Sequence, residues 1–311
     1  MKRYILNILL FFGIVAIVDF GVGIMGNSLQ THATSGETKR TNDLVLKDKH
    51  DVLILGSSRA RHHYDTPFLS DTLGLDVYNA GYDGNGVVLS FGLLSLILER
   101  YHPQLVVFDV EPAFDIYEYQ ADDNHKRYIK VLKPYYSNNG VSRVIKDVSA
   151  QEWYKLHSGL VRYNSSLLTM SVDNIKKDPD DRLGFQPLQG EYAKEPSQSN
   201  HWENPDGFKI KYVENLLLLA KHNNIPIVVV ASPKYGVNSS IELEPVKQLC
   251  LRYEVPFLDF YAEEEFQKNK RLFKEPMHLN EVGARNFSKS IVVRIKELLP
   301  SRIIHIKNEV R

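Results

Sequence analysis

The chain has 311 residues, enough for one large domain or two small ones with a sizeable core. Hydrophobic residues make up 43% and charged residues 24%, which excludes a disordered, collagenous or multi-span membrane chain. Lys and Arg total 38 and so do Asp and Glu, so no global field gathers nucleic acid and none is expected as a partner. The single cysteine, Cys250, excludes an intrachain disulfide and cysteine-cluster metal sites, and reads as a small core residue.

Residues 4–25 read YILNILLFFGIVAIVDFGVGIM, 22 residues with Asp19 as the one charge. As a helix they measure ~33 Å, against ~30 Å of bilayer hydrocarbon. Asp19 lies about a turn and a half from the far end, where its carboxylate can reach the interface. Lys2 and Arg3 precede the span, so the N-terminus is expected in the cytoplasm and everything after Gly26 outside. A cleaved signal peptide is the alternative, with Thr31-His32-Ala33 as its cleavage site. The apolar stretch is longer than a usual signal core, which favours a retained anchor over residues 1–26. Gly21-Val-Gly-Ile-Met-Gly26 fits the dinucleotide pattern G-x-G-x-x-G, but that motif needs a strand before it and a soluble helix after it. Here it is chance.

Residues 27–49 are polar and read as a linker. Beyond them short apolar runs alternate with amphipathic stretches. The runs are DVLILG (51–56), LDVYNAG (75–81), QLVVFDV (104–110), PIVVVAS (226–232) and VPFLDF (255–260). Helices are expected over about 87–101, 207–223, 243–253 and 280–299. The alternation predicts an α/β domain over 50–300, with a parallel sheet covered on both faces. Residues 301–311 read as a tail. Between about 112 and 206 the rhythm stops, and aromatics such as Tyr117, Tyr119, Tyr128, Tyr154, Tyr163, Tyr192 and Trp202 stand among polar residues. So long a stretch without structure is improbable, so an inserted cap with some helices is expected over the sheet's carboxyl edge. Its rings either stack on sugars or pack the cap down.

Ligands of such sheets bind beyond the carboxyl ends of the strands. The first run ends there on Gly56-Ser57-Ser58, and Ser58 would open a helix whose free N–H groups favour a developing oxyanion. A serine needs a base, and a carboxylate three residues before a histidine can turn back onto its ring, as in KEPMHLNEVGARNF. Three pieces, DVLILGSSRARHHY, VYNAGYDGNG and KEPMHLNEVGARNF, together resemble the SGNH (GDSL-like) hydrolase family. The resemblance implies a three-layer flavodoxin-like fold with strand order 2-1-3-4-5. It implies Ser58 as nucleophile, His278 as base and Glu275 as the orienting acid, with Asp259 as the substitute acid. It places the Ser58 and Gly84 backbone N–H groups in the oxyanion hole.

Two features depart from the family pattern. The third block normally supplies an Asn donor, and here reads FDVEPAFD without one. Asn85 or Asn79 would have to replace it, and Asp109 and Glu111 bring charge near the site or act structurally. The nucleophile is also followed by Arg59, Arg61, His62 and His63. Arg59 and Tyr82 are candidates to contact substrate, although the basic run can equally pair with the acidic third block. No P-loop, H-E-x-x-H or metal-ligand spacing is present, and neither a metal nor a cofactor is expected. The resemblance and the anchor together imply an esterase or O-acyltransferase acting on acylated carbohydrate or an envelope polymer, with a membrane acyltransferase as a possible partner. The alternative is an inactive relative that binds polysaccharide or a membrane partner during polymer assembly.

Overall fold

Each of the five apolar runs contains a strand, and the Val-, Ile- and Leu-rich runs of the three central strands are buried on both faces of one sheet. In the computed structural model, which describes residues 1–118, 125–164, 166–176, 182–193 and 204–298, these strands are β1 (Val52–Gly56), β2 (Val77–Asn79), β3 (Leu105–Asp109), β4 (Ile227–Ala231) and β5 (Phe257–Asp259). They pair in parallel in the order β2-β1-β3-β4-β5. The central strands β1, β3 and β4 are buried at every residue, so they read as continuous apolar runs without alternation. The fold class and the strand order are those expected.

The helices in chain order are α1 (Lys2–Thr31), α2 (Gly36–Asn42), α3 (Ser58–His63), α4 (Thr66–Leu73), α5 (Val87–Leu98) and α6 (Asn139–Lys155). After them come α7 (Gly159–Tyr163), α8 (Leu167–Asp173), α9 (Gly207–His222), α10 (Glu244–Arg252), α11 (Glu264–Gln267) and α12 (Glu281–Leu298). Two short strands, β6 (Phe273–Glu275) and β7 (His278–Leu279), make an antiparallel hairpin before α12. On one face of the large sheet Val52, Ile54, Val107, Val228 and Val230 pack with Tyr64, Leu69, Phe287 and Ile291. Those partners come from the segment after α3, from α4 and from α12. Alternate residues point the other way, where α5 and α9 pack together. Helix α5, VVLSFGLLSLIL, is apolar almost all round because nearly all of it is buried.

The chain divides into two compact units, 1–48 with 124–180 and 49–123 with 181–311. The second holds both sheets. The first joins the N-terminal helix to much of the stretch expected as a cap. Residues 27–49 are not an extended linker: α1 continues to Thr31, α2 follows, and one π-helical turn covers Asp43–Lys47. Their polar residues find partners far along the chain. Buried Asn42 accepts from Gln30 Nε2 at 3.1 Å and from the Tyr135 hydroxyl at 2.6 Å. Leu44 and Val45 are buried as well. Tyr128 and Tyr163 are core residues of this unit, and Tyr117 and Tyr192 are buried in the other. These four rings pack, whereas Tyr154 is exposed. Tyr119, Trp202, Leu299 and the expected tail over 301–311 lie outside the described residues.

Candidate active site

Strand β1 ends on Gly56 at the sheet's carboxyl edge, between β2 and β3, where the strand order reverses direction. Ser57 caps α3, its hydroxyl oxygen accepting from the Arg59 N–H at 3.2 Å. Ser58 is thereby the first helical residue. The β6–β7 hairpin brings the other groups, because its register sets Glu275 directly opposite His278 across the Pro276–Met277 turn. The Ser58 hydroxyl donates to His278 Nε2 at 2.7 Å, and His278 Nδ1–H donates to Glu275 Oε1. The carboxylate fixes the tautomer that leaves Nε2 free to take the serine proton. The second Glu275 oxygen accepts from the Met277 N–H at 3.0 Å. Burial raises the Glu275 pKa, but the hydrogen bond and charge of His278 and the Met277 N–H outweigh it and hold the carboxyl below its ordinary value. Asp259 is occupied elsewhere. It accepts from Ser240 at 2.5 Å, from Lys247 at 2.7 Å and from the Tyr261 N–H at 3.1 Å.

The loop after β2 lies against the Gly56–Ser58 turn. Tyr82 N–H donates to the Gly56 carbonyl at 3.1 Å, and Asn79 Nδ2 donates to the Ala60 carbonyl at 2.6 Å. A side chain at position 81 would meet Arg61 N at 2.6 Å and Ser57 O at 2.9 Å, so only glycine lets the two turns approach. Gly84 has φ +64°, a left-handed turn residue. The Ser58 and Gly84 N–H groups donate to no acceptor among the described residues, so both remain available to an oxyanion.

Asn79, Tyr82 and Arg59 need correction as oxyanion or substrate candidates. Asn79 is a buried brace: its amide donates to Ala60 and its oxygen accepts from the Gly81 N–H at 3.0 Å. Asn85 Nδ2 donates to the Asp83 carbonyl at 2.9 Å, which ties that amide into its own loop. Tyr82 is 4% exposed and packs inside. Arg59 is fully buried, since one residue along α3 turns its side chain about 100° away from that of Ser58. Its guanidinium pairs with Glu111 at 3.3 Å and lies over the Tyr261 ring, 5.0 Å from the centroid. Burial opposes its charge, but Glu111 and Asp109 outweigh burial and raise its pKa further. The third block is therefore structural, with Glu111 sealed against Arg59. Burial pushes Asp109 up to about 6 and Asp115 up to about 8. Removing one member of a buried pair strands the other, so Arg59→Ala is expected to cost about 3–5 kcal/mol in denaturant unfolding. A loss below about 1 kcal/mol is the behaviour of an exposed pair and would contradict this assignment.

Two residues of the basic run after Ser58, His62 and His63, support the site. His63 Nε2 accepts the Leu279 N–H at 3.0 Å, and its Nδ1–H donates to Ser232 Oγ at 2.9 Å. It thus holds β7, the strand that carries His278, from behind. Burial first, then the neighbouring Arg59, His278 and His62, keep the His63 pKa well below its ordinary value. His62 donates from Nδ1 to the Gln186 carbonyl at 2.6 Å and faces Asp83 with Nε2 at 3.2 Å. Its ring stands edge-on to His278 with centroids 5.4 Å apart. The signal for both was their place in the short helix that Ser58 opens.

No family model and no curated protein matches the chain. Among solved structures it is similar to a Streptococcus pneumonia protein described as a platelet activating factor, at 11% identity over 90% of this chain and 97% of that one, with a TM-score of 0.44. It is also similar to the acetyl xylan esterase AlAXEase, at 11% identity over 78% and 99% of the two chains, with a TM-score of 0.39. A mutant of the esterase AlinE4 matches at 9% identity over 82% and 99%, with a TM-score of 0.34.

Proposed function

We propose that the chain is a serine acylesterase or O-acyltransferase of the SGNH type. In this reading α1 anchors it in a membrane and the sheet unit lies outside the cytoplasm, acting on acyl esters of envelope or exported polysaccharide. The Ser58–His278–Glu275 hydrogen-bonded series carries the reading, because it joins a nucleophile, a base in the competent tautomer and an orienting acid at a sheet edge. Helix α1 supports the location: its apolar window has a mean hydropathy of 2.5 and is 0% buried.

Ser58 Oγ attacks the ester carbonyl while its proton passes to His278 Nε2. Glu275 stabilises the imidazolium through Nδ1–H, and the Ser58 and Gly84 N–H groups meet the oxyanion. His278 then protonates the leaving alcohol as the C–O bond breaks, which leaves Ser58 acylated. Water or a sugar hydroxyl, deprotonated by His278, resolves the acyl-enzyme and restores Ser58. A hole with no third-block Asn donor is expected to run roughly 10²–10³ slower than one that has it. That deficit suits a transferase fed by a membrane acyl donor, where slow loss of acyl groups to water is an advantage.

Full-length protein in detergent is expected to release aryl alcohol from an aryl acetate, and an added oligosaccharide should divert acetyl to its hydroxyls if the enzyme is a transferase. Absence of both products from a folded sample would favour the non-catalytic polymer-binding reading, to which the missing third-block Asn and Glu275 in place of the usual Asp already point.

A further inference from the structure

The first unit contains a contact that a simple membrane anchor does not need. A carboxylate in an apolar span is costly unless it is paired. Asp19 accepts three hydrogen bonds from one place, the start of α7: Ser158 Oγ at 2.5 Å, Leu160 N at 2.9 Å and Gly159 N at 3.2 Å. The backbones touch there. A side-chain carbon at Gly159 would lie 2.5 Å from both the Gly23 backbone and the Asp19 carbonyl. Gly26 lies against the Tyr163 ring in the same way. Helix α7 thus climbs α1 from Asp19 to Gly26.

The depth of that contact follows from length. Residues 4–18 make only ~22 Å of helix, short of ~30 Å of hydrocarbon, so the hydrocarbon must extend past Asp19. It ends near Met25, where the groove along α1 changes from Phe20 and Ile24 to Asn27, Ser28 and Thr31. The start of α7 then lies ~9 Å inside the outer boundary. From there Leu160 and Val161 project outward, 37% and 43% exposed. Farther along, Leu168 and Val172 of α8, at i and i+4, and Ile175 in the turn after it form a second exposed apolar stripe. Asn174 Nδ2 donates to the Leu29 carbonyl at 2.8 Å, which sets this stripe at the level where α1 leaves the hydrocarbon.

We infer that α7 and α8 form a membrane-seated wedge, with Leu160 and Val161 among the acyl chains of the outer leaflet and the α8 stripe at the headgroup boundary. The inference rests on the reading of α1 as a retained anchor. Bilayer lipid is the occupant because this surface continues the apolar surface of α1, which is exposed on all sides through residue 18. The polar cap on Asp19 is what allows a carboxylate at that depth. The wedge fixes the depth of the unit and its rotation about α1, which a lone helix would leave free.

Single cysteines at Leu160, Val161, Phe12 and Lys268, in the full-length chain, carry a bimane label in phosphatidylcholine–phosphatidylglycerol vesicles. The native Cys250 is buried, and burial pushes its thiol up to about 12, so it stays unlabelled. Nitroxide-bearing lipid is expected to quench positions 160 and 161 severalfold more than aqueous iodide does, as at position 12, with the reverse at position 268. If positions 160 and 161 follow 268 while 12 follows lipid, the wedge is wrong and the anchor stands. If position 12 also follows iodide, the anchor reading fails and the wedge fails with it.

Discussion

Replacing Ser58 by alanine is expected to lower kcat for ester turnover by roughly a million-fold, and His278→Ala by about as much. The double variant should be no worse than either single one. The 2.7 Å hydrogen bond between the two side chains is the reason: without the base the hydroxyl is a poor nucleophile, and without the hydroxyl the base has no proton to take. Both residues sit at element boundaries, and Ser58 is partly exposed. Far-UV circular dichroism and the unfolding midpoint should therefore stay close to those of the unmodified chain. Additive losses would mean that the two act in separate steps.

Glu275→Gln is expected to cost about 10⁴ in kcat, because an amide can stabilise either tautomer of His278 and cannot neutralise the imidazolium. Asp259 offers no rescue while it is tied to Ser240, Lys247 and the Tyr261 N–H. The pH dependence carries the same sign. Glu275 is held below the ordinary carboxylate range, so it stays ionised throughout neutral and mildly acidic pH. Its protonation should enter the kcat/KM profile only below that range. A loss of less than tenfold in Glu275→Gln would show that another group orients His278.

Much of the architecture was legible in the sequence because the physics behind it is local. Buried parallel strands need near-continuous apolar residues, and the runs of β1, β3 and β4 have them. The meeting of Glu275 with His278 was legible because three residues can close a tight turn, and the β6–β7 hairpin closes it. The misread residues depend on distant partners. Arg59 turns inward because Glu111 and Tyr261, more than 50 and 200 positions away, complete its environment. Asn79 faces Ala60, and His63 reaches both Ser232 and Leu279. Residues 27–49 looked like a linker because their polar character carries no mark of Tyr135, which caps Asn42. Even Gly23 and Gly26, part of a chance motif, have a packing reason supplied by Gly159 and Tyr163.

The most direct measurement is labelling of the full-length protein with a fluorophosphonate probe, followed by peptide mapping of the adduct. The probe reacts with a serine only where a base activates it and N–H donors receive the developing oxyanion, so it tests the geometry without knowledge of the acyl group. The expected result is one adduct on Ser58, lost in His278→Ala and strongly slowed in Glu275→Gln. A folded protein that takes up no probe, or takes it up at another serine, would contradict Ser58–His278–Glu275 as a working catalytic series.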